Sequence, residues 1–352
     1  MKVTMEQIAS TVGVSRGTVD RALHGRRGVN PQVAEQIMTV AKQLGYRPSF
    51  DLRPPQRQKK LILGFVLLEG GGFWADVMNG IERAAAELSE FGVQIIVRRF
   101  ADYKPEKELL CINEVLDQGA EALAVVPIND ARIKERLAEI TASGIPIVLV
   151  NQEINGAEEI GALCYFGSDY MLAGRTAAGM LKLCHRPGKI ELGVFCASKN
   201  MFSQSTRITG FLQEIERLGL NCHLIDLMSL SRSSIYTDGS HALATYDLAM
   251  TFLRKHPETT AMYTVGGKSS AVATAIYDSG RAGEIIHIAY DLHPDHLAGL
   301  QNGSITVLIG QESEAQGYQP LKILYDFCAN HIEPQSRRIL VRSEIIIPQN
   351  AV

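Results

Sequence analysis

The chain of 352 residues contains no apolar run that approaches the roughly 18 residues a membrane-spanning helix requires. Its 6 cysteines include no C-x-x-C pair, which is typical of thiols in a reducing compartment rather than of a disulfide scaffold. The polar N-terminus has none of the features of a secretion signal. These absences favour a cytoplasmic protein that has no membrane anchor.

Motifs of common catalytic, metal and cofactor sites are also missing. The run Gly70-Gly71-Gly72 is not followed by Gly-Lys-Ser/Thr, so it does not form a nucleotide-binding P-loop. No G-x-S-x-G or H-E-x-x-H pattern occurs, and His293 and His296 fit a helix cap better than a metal site. The sequence therefore predicts no catalytic residue, no metal and no cofactor.

The charged residues are unevenly distributed along the chain. Residues 1–60 hold 11 Lys/Arg against 4 Asp/Glu, whereas the remainder holds 24 against 34. A basic N-terminal segment ahead of an acidic body fits binding to a polyanion such as DNA. Composition alone leaves open a basic arm that only aids solubility.

The pattern at residues 4–23 (T-M-E-Q-I-A-S-T-V-G-V-S-R-G-T-V-D-R-A-L) predicts two short helices joined by a tight turn. Gly13 ends the first helix, and Ser15 caps a second helix whose inward residues are Val19 and Leu23. Such a pair can place its second helix in the major groove of DNA. A generic pair of packed helices is the alternative.

A third helix is predicted from Pro31 to Leu44, and the first unit is expected to end near residue 48. Residues 49–60 (S-F-D-L-R-P-P-Q-R-Q-K-K) read as a linker, because a helix cannot run through Pro54-Pro55.

From residue 61 onward, apolar runs alternate with amphipathic segments, which predicts parallel, doubly wound α/β sheets. Eleven strands are too many for one sheet, so we expect two lobes with a ligand cleft at the carboxyl ends of their strands. The predicted strands are 61–68, 93–99, 122–127, 146–151, 163–167, 189–196, 222–227, 261–265, 285–290, 305–309 and 339–346.

The first unit, together with V-N-P-Q-V-A-E-Q-I-M-T-V-A-K-Q-L-G-Y-R-P, closely resembles the headpiece of the lactose-repressor/galactose-repressor (LacI/GalR) family. The body resembles the ribose-type periplasmic sugar-binding proteins in stretches such as A-S-G-I-P-I-V-L-V-N-Q and R-I-T-G-F. The resemblance implies a helix-turn-helix headpiece over residues 1–48 and a two-lobed effector domain over 61–352. Lobe 1 is expected at about 61–160 plus 291–322, and lobe 2 at about 161–290 plus 323–352.

Carried over by position, the resemblance implies a set of DNA contacts. Arg16 and Gly17 fall where the family reads bases, and because Gly17 has no side chain one contact must be missing. Asp20 could accept a hydrogen bond from cytosine or hold Arg21 in place; we favour the second role, since a carboxylate faces a polyanion here. The implied contacts are Thr4, Ser15, Arg16, Gly17, Thr18, Asp20, Arg21, Tyr46 and Arg47. Relatives wedge a linker leucine into the minor groove, but Pro55 stands near that position, so kinking is not predicted.

The resemblance also implies ligand contacts in the cleft, because sugars require paired donors and acceptors around an aromatic face. The implied residues are Phe73, Trp74, Asn151, Gln152, Arg207, Asp291 and Gln311. Plain helix-start packing is the alternative for Trp74, and capping or surface roles are the alternative for the polar residues. Val126 and Gly266 or Gly267 replace polar residues of the family, so ribose itself is not predicted.

The predicted function is a homodimeric DNA-binding transcription repressor whose operator affinity is controlled by a sugar or polyol. Two alternatives remain at this stage. One is a sugar-processing protein with an accessory DNA-binding head, and the other is a solute-binding protein for transport.

Overall fold

The computed structural model describes residues 4–23, 29–44, 60–197, 201–229, 240–266 and 268–351. Tyr46, Arg47 and the predicted linker before Lys60 lie outside these ranges. The chain divides into two compact units, Met1–Lys59 and Lys60–Val352. Within the described ranges, no helix is long and apolar enough to cross a bilayer. No group of three or more potential metal ligands occurs in those same ranges.

The first unit contains three helices, α1 (Met5–Val12), α2 (Arg16–Leu23) and α3 (Pro31–Gln43). A reciprocal capping box starts α1, since Thr4 Oγ1 accepts from the Gln7 amide and Gln7 Oε1 accepts from the Thr4 amide. Gly13 ends the helix at φ 76°, a conformation that favours glycine. A small core of Ile8, Val19 and Ile37 joins the three helices. The three predicted helices are confirmed, with Val19 and Leu23 facing inward, although α3 ends at Gln43 and Leu44 is exposed.

The first lobe of the body is built on a fully parallel sheet of six strands in the order β11-β5-β4-β3-β1-β2. Its strands are β1 (Leu61–Leu68), β2 (Val93–Phe100), β3 (Ala122–Val125), β4 (Ile147–Val150), β5 (Cys164–Gly167) and β11 (Arg338–Leu340). Its helices are α4 (Phe73–Ser89), α5 (Pro105–Asp117), α6 (Ala131–Ala142), a short 3-10 turn (Ala157–Glu159) and α12 (Ser313–Asn330). Strands β1, β3 and β4 supply a continuous apolar core.

The second lobe has a six-stranded sheet in the order β12-β10-β9-β8-β6-β7, in which only β12 runs antiparallel to its neighbour. Its strands are β6 (Ile190–Cys196), β7 (Cys222–Ser229), β8 (Ala261–Thr264), β9 (Ile286–Tyr290), β10 (Val307–Gly310) and β12 (Glu344–Ile346). Its helices are α7 (Tyr170–Cys184), α8 (Phe202–Arg217), α9 (Ser240–Lys255), α10 (Ser269–Asp278) and α11 (Pro294–Asn302).

Two predictions about the body need correction. The single strand predicted at 339–346 is two strands, β11 in the first sheet and β12 in the second, because the chain crosses between lobes there. The lobe limits also differ, since β5 and all of α12 belong to the first lobe, whereas α11 and β10 belong to the second. Apolar runs show where strands occur, but they do not show which sheet each strand joins.

Each lobe contains one pair of helices in backbone-to-backbone contact. A Cβ atom added at Gly317 of α12 would overlap the Val77 carbonyl oxygen of α4. A Cβ atom added at Gly174 of α7 would overlap the Arg207 carbonyl oxygen of α8. These contacts fix the depth at which α8 and α12 present their side chains to the space between the lobes.

Candidate functional site

A cavity of about 420 Å³ lies between the two lobes, where the carboxyl ends of both sheets meet. The structure brings all the predicted ligand residues to its lining: Phe73, Trp74, Asn151, Gln152, Arg207, Asp291 and Gln311. They lie after strands of both sheets, at the start of α4 and within α8, so both lobes contribute. Open α/β sheets place ligand sites at such strand ends.

Arg207 on α8 is 5% exposed, and its guanidinium makes two hydrogen bonds and contacts two aromatic rings. Its Nη2 donates to Gln311 Oε1 at 2.8 Å, and its Nη1 donates to the Val265 carbonyl at 3.2 Å. The guanidinium carbon lies 3.8 Å from the Tyr290 ring centroid and 4.9 Å from that of Tyr170. The two rings and the hydrogen bonds fix the guanidinium plane at the cavity wall.

Asp291 follows β9 and adopts φ 62°, which turns its backbone at the sheet edge. Its Oδ2 accepts a hydrogen bond from Gln311 Nε2 at 2.9 Å, so Gln311 bridges Asp291 and Arg207. Burial raises the pKa of Asp291 to about 6, and the nearby Arg207 charge offsets only part of that effect. The site therefore holds a carboxylate that is costly to ionise beside a fixed guanidinium.

The side-chain amides of Asn151 and Gln152, which follow β4, form hydrogen bonds mainly with other protein groups. Asn151 Nδ2 donates to Gln316 Oε1 at 2.9 Å, and Gln152 Nε2 donates to Asn151 Oδ1 at 2.8 Å. Gln152 Nε2 also donates to Ser203 Oγ at 3.1 Å, and the Ser203 amide lies 3.4 Å from Gln152 Oε1. Since Ser203 belongs to α8, this pair of contacts links the two lobes directly at the floor of the cavity.

The two aromatic residues at the start of α4 differ in how deeply they are buried. Phe73 and Trp74 meet edge to face, with ring centroids 4.9 Å apart. Trp74 is 8% exposed and belongs to the core of the first lobe, although it also reaches the cavity. Phe73 is half-buried and is the ring better placed to face a ligand. Val126 is fully buried, and Gly267 lies outside the described ranges.

The cavity lining also includes two histidines, His293 and His296, for which the sequence favours a helix-cap role. His293 precedes α11 but makes no side-chain cap, and its Nδ1 lies 3.8 Å from Asp76 Oδ2 of the opposite lobe. His296 Nε2 is 2.9 Å from Ser269 Oγ, and its Nδ1 is 2.8 Å from the Asp291 carbonyl. Burial lowers the pKa of both rings, which favours their neutral forms. Both histidines follow Asp291 closely in the chain, and this closeness is the sequence feature that could have identified them as cavity residues.

Sequence reasoning also missed other residues that line the cavity. Tyr170 and Tyr290, which enclose Arg207, stand at the first residue of α7 and the last residue of β9. Ser203 and Lys268 also line the cavity, and Lys268 adopts φ 73° immediately before α10. No sequence motif marks them, and only their positions at element ends could have suggested them.

The headpiece presents a second candidate surface on α2. Arg16, Gly17 and Arg21 are exposed, whereas Thr18 and Asp20 are half-buried. Ser15 caps the helix, because its Oγ accepts from the Thr18 amide at 3.1 Å and also contacts Thr18 Oγ1 at 2.9 Å. The Thr4 hydroxyl accepts within the capping box, which leaves its own proton available to a phosphate.

Comparison with known proteins identifies two family matches. A family described as "Periplasmic binding protein domain" matches residues 64–331, and one described as "Bacterial regulatory proteins, lacI family" matches residues 4–49. The HTH-type transcriptional regulator AglR of Rhizobium meliloti is 27% identical over 45% of this chain and 44% of its own length. The chain thus spans less than half of AglR.

Two further similar proteins align with a larger share of the chain. The HTH-type transcriptional regulator GalS of Salmonella typhimurium is 22% identical over 80% of this chain and 77% of its own length. The solved structure of GanP, a glucose-galactose binding protein from Geobacillus stearothermophilus, superimposes with a TM-score of 0.69 at 20% identity. That superposition covers 83% of this chain and 99% of GanP, and at this identity it concerns the fold alone.

Proposed function

Because this chain belongs to the periplasmic binding protein domain family and carries a headpiece of the lacI family of bacterial regulatory proteins, we propose that it is a ligand-controlled transcription repressor. In this proposal the headpiece binds operator DNA, and a small polar ligand between the lobes changes the operator affinity. One observation carries the proposal for the body: Arg207 is fixed between two tyrosine rings and joined through Gln311 to Asp291 at the cavity wall.

A sugar or polyol is the ligand class that fits this arrangement best. Vicinal hydroxyl groups can accept from a planar guanidinium and donate to a carboxylate, and Phe73 offers a ring for the apolar face of a sugar. A cavity of about 420 Å³ lies in the ordinary range for small-molecule sites. The likeness to GanP, named as a glucose-galactose binding protein, supports the same class.

Control of DNA binding would come from the separation of the lobes. Each lobe supplies part of the cavity wall, so a ligand that contacts both lobes binds the closed arrangement more tightly than an open one. That difference in affinity is the free energy available to change operator binding. A homodimer would place two headpieces on successive turns of a pseudo-palindromic operator, and the protein would act in the cytoplasm where that DNA lies.

The proposal assigns binding rather than turnover to the cleft. AglR and GalS are both named as regulators, and the polar side chains at the cavity are bonded to one another in a pattern that suits recognition. Turnover of a bound sugar or polyol by the purified protein would favour the alternative of a sugar-processing protein with an accessory head.

A thermal-shift screen with monosaccharides, polyols and sugar acids tests the proposal. A ligand at 100 times its dissociation constant should stabilise the body by about 2.7 kcal/mol. The Arg207→Met variant should lose this response, whereas Arg217→Met, an exposed arginine of the same helix, should keep it. A full response in Arg207→Met would contradict the assignment of the cleft.

A further inference from the structure

One ion pair on the headpiece joins the first turns of two different helices. Arg16 Nε lies 3.1 Å from Glu6 Oε1, and the two side chains are 69% and 60% exposed. Glu6 lies in the first turn of α1, and Arg16 is the first residue of α2. The packing of α1 against α2 therefore places a carboxylate beside the guanidinium that immediately precedes Gly17.

Headpiece stability does not account for this pair. An exposed ion pair contributes only about 0–1 kcal/mol, and a cation at a helix N-terminus opposes the helix dipole. The next residue, Gly17, costs helix stability, although a Cβ atom there would meet only Ser15 Oγ at 3.8 Å. Two successive residues are thus unfavourable for α2, and such local conflicts are expected where a surface serves binding.

The pair also matches the chemistry of a base pair in the major groove. Guanine presents its O6 and N7 as acceptors there, which suit a two-pronged arginine, and cytosine presents its N4 amino group, which suits a carboxylate. A carboxylate close to DNA is repelled by phosphates, and a donor on a base edge opposite Glu6 would offset that repulsion.

We propose that Glu6 and Arg16 act as one recognition unit that reads a G·C base pair, with Arg16 donating to guanine and Glu6 accepting from cytosine N4. The inference rests on the proposed function, because it requires that α2 enters the major groove. It adds Glu6, a residue of α1, to the specificity-determining surface. The absence of a side chain at Gly17 leaves room for the base edges beside the pair.

Selection from a random duplex library with the full-length protein tests this inference. Four proteins are compared: the unsubstituted protein, Glu6→Ala, Arg16→Lys and the matched control Glu35→Ala. Glu35 is an exposed acid of α3, so its replacement changes the headpiece charge equally. Circular dichroism and thermal unfolding establish that each headpiece is folded. If the Glu6→Ala headpiece is not folded, the Arg16→Lys variant serves as the test.

Glu6→Ala should lose about tenfold or more of the discrimination at one G·C position, and Arg16→Lys should lose preference at that same position. Glu35→Ala should keep the original profile. An unchanged Glu6→Ala profile, an equal loss in Glu35→Ala, or losses at different positions for Glu6→Ala and Arg16→Lys would each overturn the inference. If the unsubstituted protein enriches no duplex, the proposed function itself fails, and this inference falls with it.

Discussion

Replacing Asp291 with asparagine should stabilise the body at neutral pH while weakening ligand binding. Burial raises the pKa of Asp291 to about 6, so the folded body must ionise this acid at a cost when the pH is 7 or above. Asparagine resembles the neutral acid in shape and tolerates the observed φ of 62°. Its amide oxygen can still accept from Gln311, but it offers a ligand hydroxyl no negative charge.

The size of the effect follows from the pKa difference. Between the ordinary value of 3.8 and a folded value of about 6, the folded state binds more protons than the unfolded state. The stability of the unsubstituted protein therefore falls as the pH rises through this window. The advantage of Asp291→Asn should be about 1 kcal/mol at pH 4.5 and should approach a ceiling of about 3 kcal/mol at pH 7.5.

Urea unfolding followed by the fluorescence of Trp74, the single tryptophan of the chain, measures this directly. The control is Asp295→Asn, because Asp295 is an exposed acid that lines the same cavity. Asp295→Asn should leave the stability nearly unchanged at both pH values. The reasoning is refuted if Asp291→Asn is no more stable than the unsubstituted protein at pH 7.5, or if its advantage does not shrink at pH 4.5.

The remaining predictions concern glycine positions and the buried acid Glu108. Gly17→Ala should stabilise the headpiece by up to about 1 kcal/mol, and Gly13→Ala, at φ 76°, should destabilise it by about as much; hydrogen exchange of headpiece amides measures both. Gly174→Ala should cost the body about 1–3 kcal/mol in urea unfolding and weaken ligand binding, since α8 must move outward. Burial raises the pKa of Glu108 well above its ordinary value, so Glu108→Gln should be more stable than the unsubstituted protein at pH 8, with no such difference at pH 4.

Much of the fold follows from local patterns in the sequence. The headpiece helices were marked by Gly13, by the Ser15 cap and by the inward positions of Val19 and Leu23, all of which act within a few residues. The strands of the body were marked by apolar runs between turn residues. The division between lobes was not predictable in the same way, because the chain crosses from one sheet to the other at 341–343, within the segment predicted as the single strand 339–346.

In the candidate site, too, the features that depend on local sequence were predictable, and those that depend on long-range packing were not. Asn151, Asp291 and Gln311 were predictable because they directly follow strands whose carboxyl ends meet. The enclosure of Arg207 by Tyr170 and Tyr290 was not, since it depends on how α7 and α8 pack across Gly174. Sequence periodicity carries no information about how closely α7 and α8 approach each other.

The link between Gln152 and Ser203 escaped prediction for a related reason. It joins residues of opposite lobes that are 51 positions apart, and its formation depends on the separation of the lobes. The sequence therefore indicated the polar residues of the cleft, but it did not indicate which of them hydrogen-bond to one another.

The central claim is that a ligand in the cleft changes the affinity of the protein for DNA. The most direct measurement is the affinity of the full-length protein for its enriched duplex, by fluorescence anisotropy, with and without the ligand found in the thermal-shift screen. The account predicts a change of about fivefold or more, and an equal reciprocal effect of the duplex on ligand affinity. A ligand that saturates the cleft, as reported by Trp74 fluorescence, but leaves the duplex affinity unchanged would contradict it.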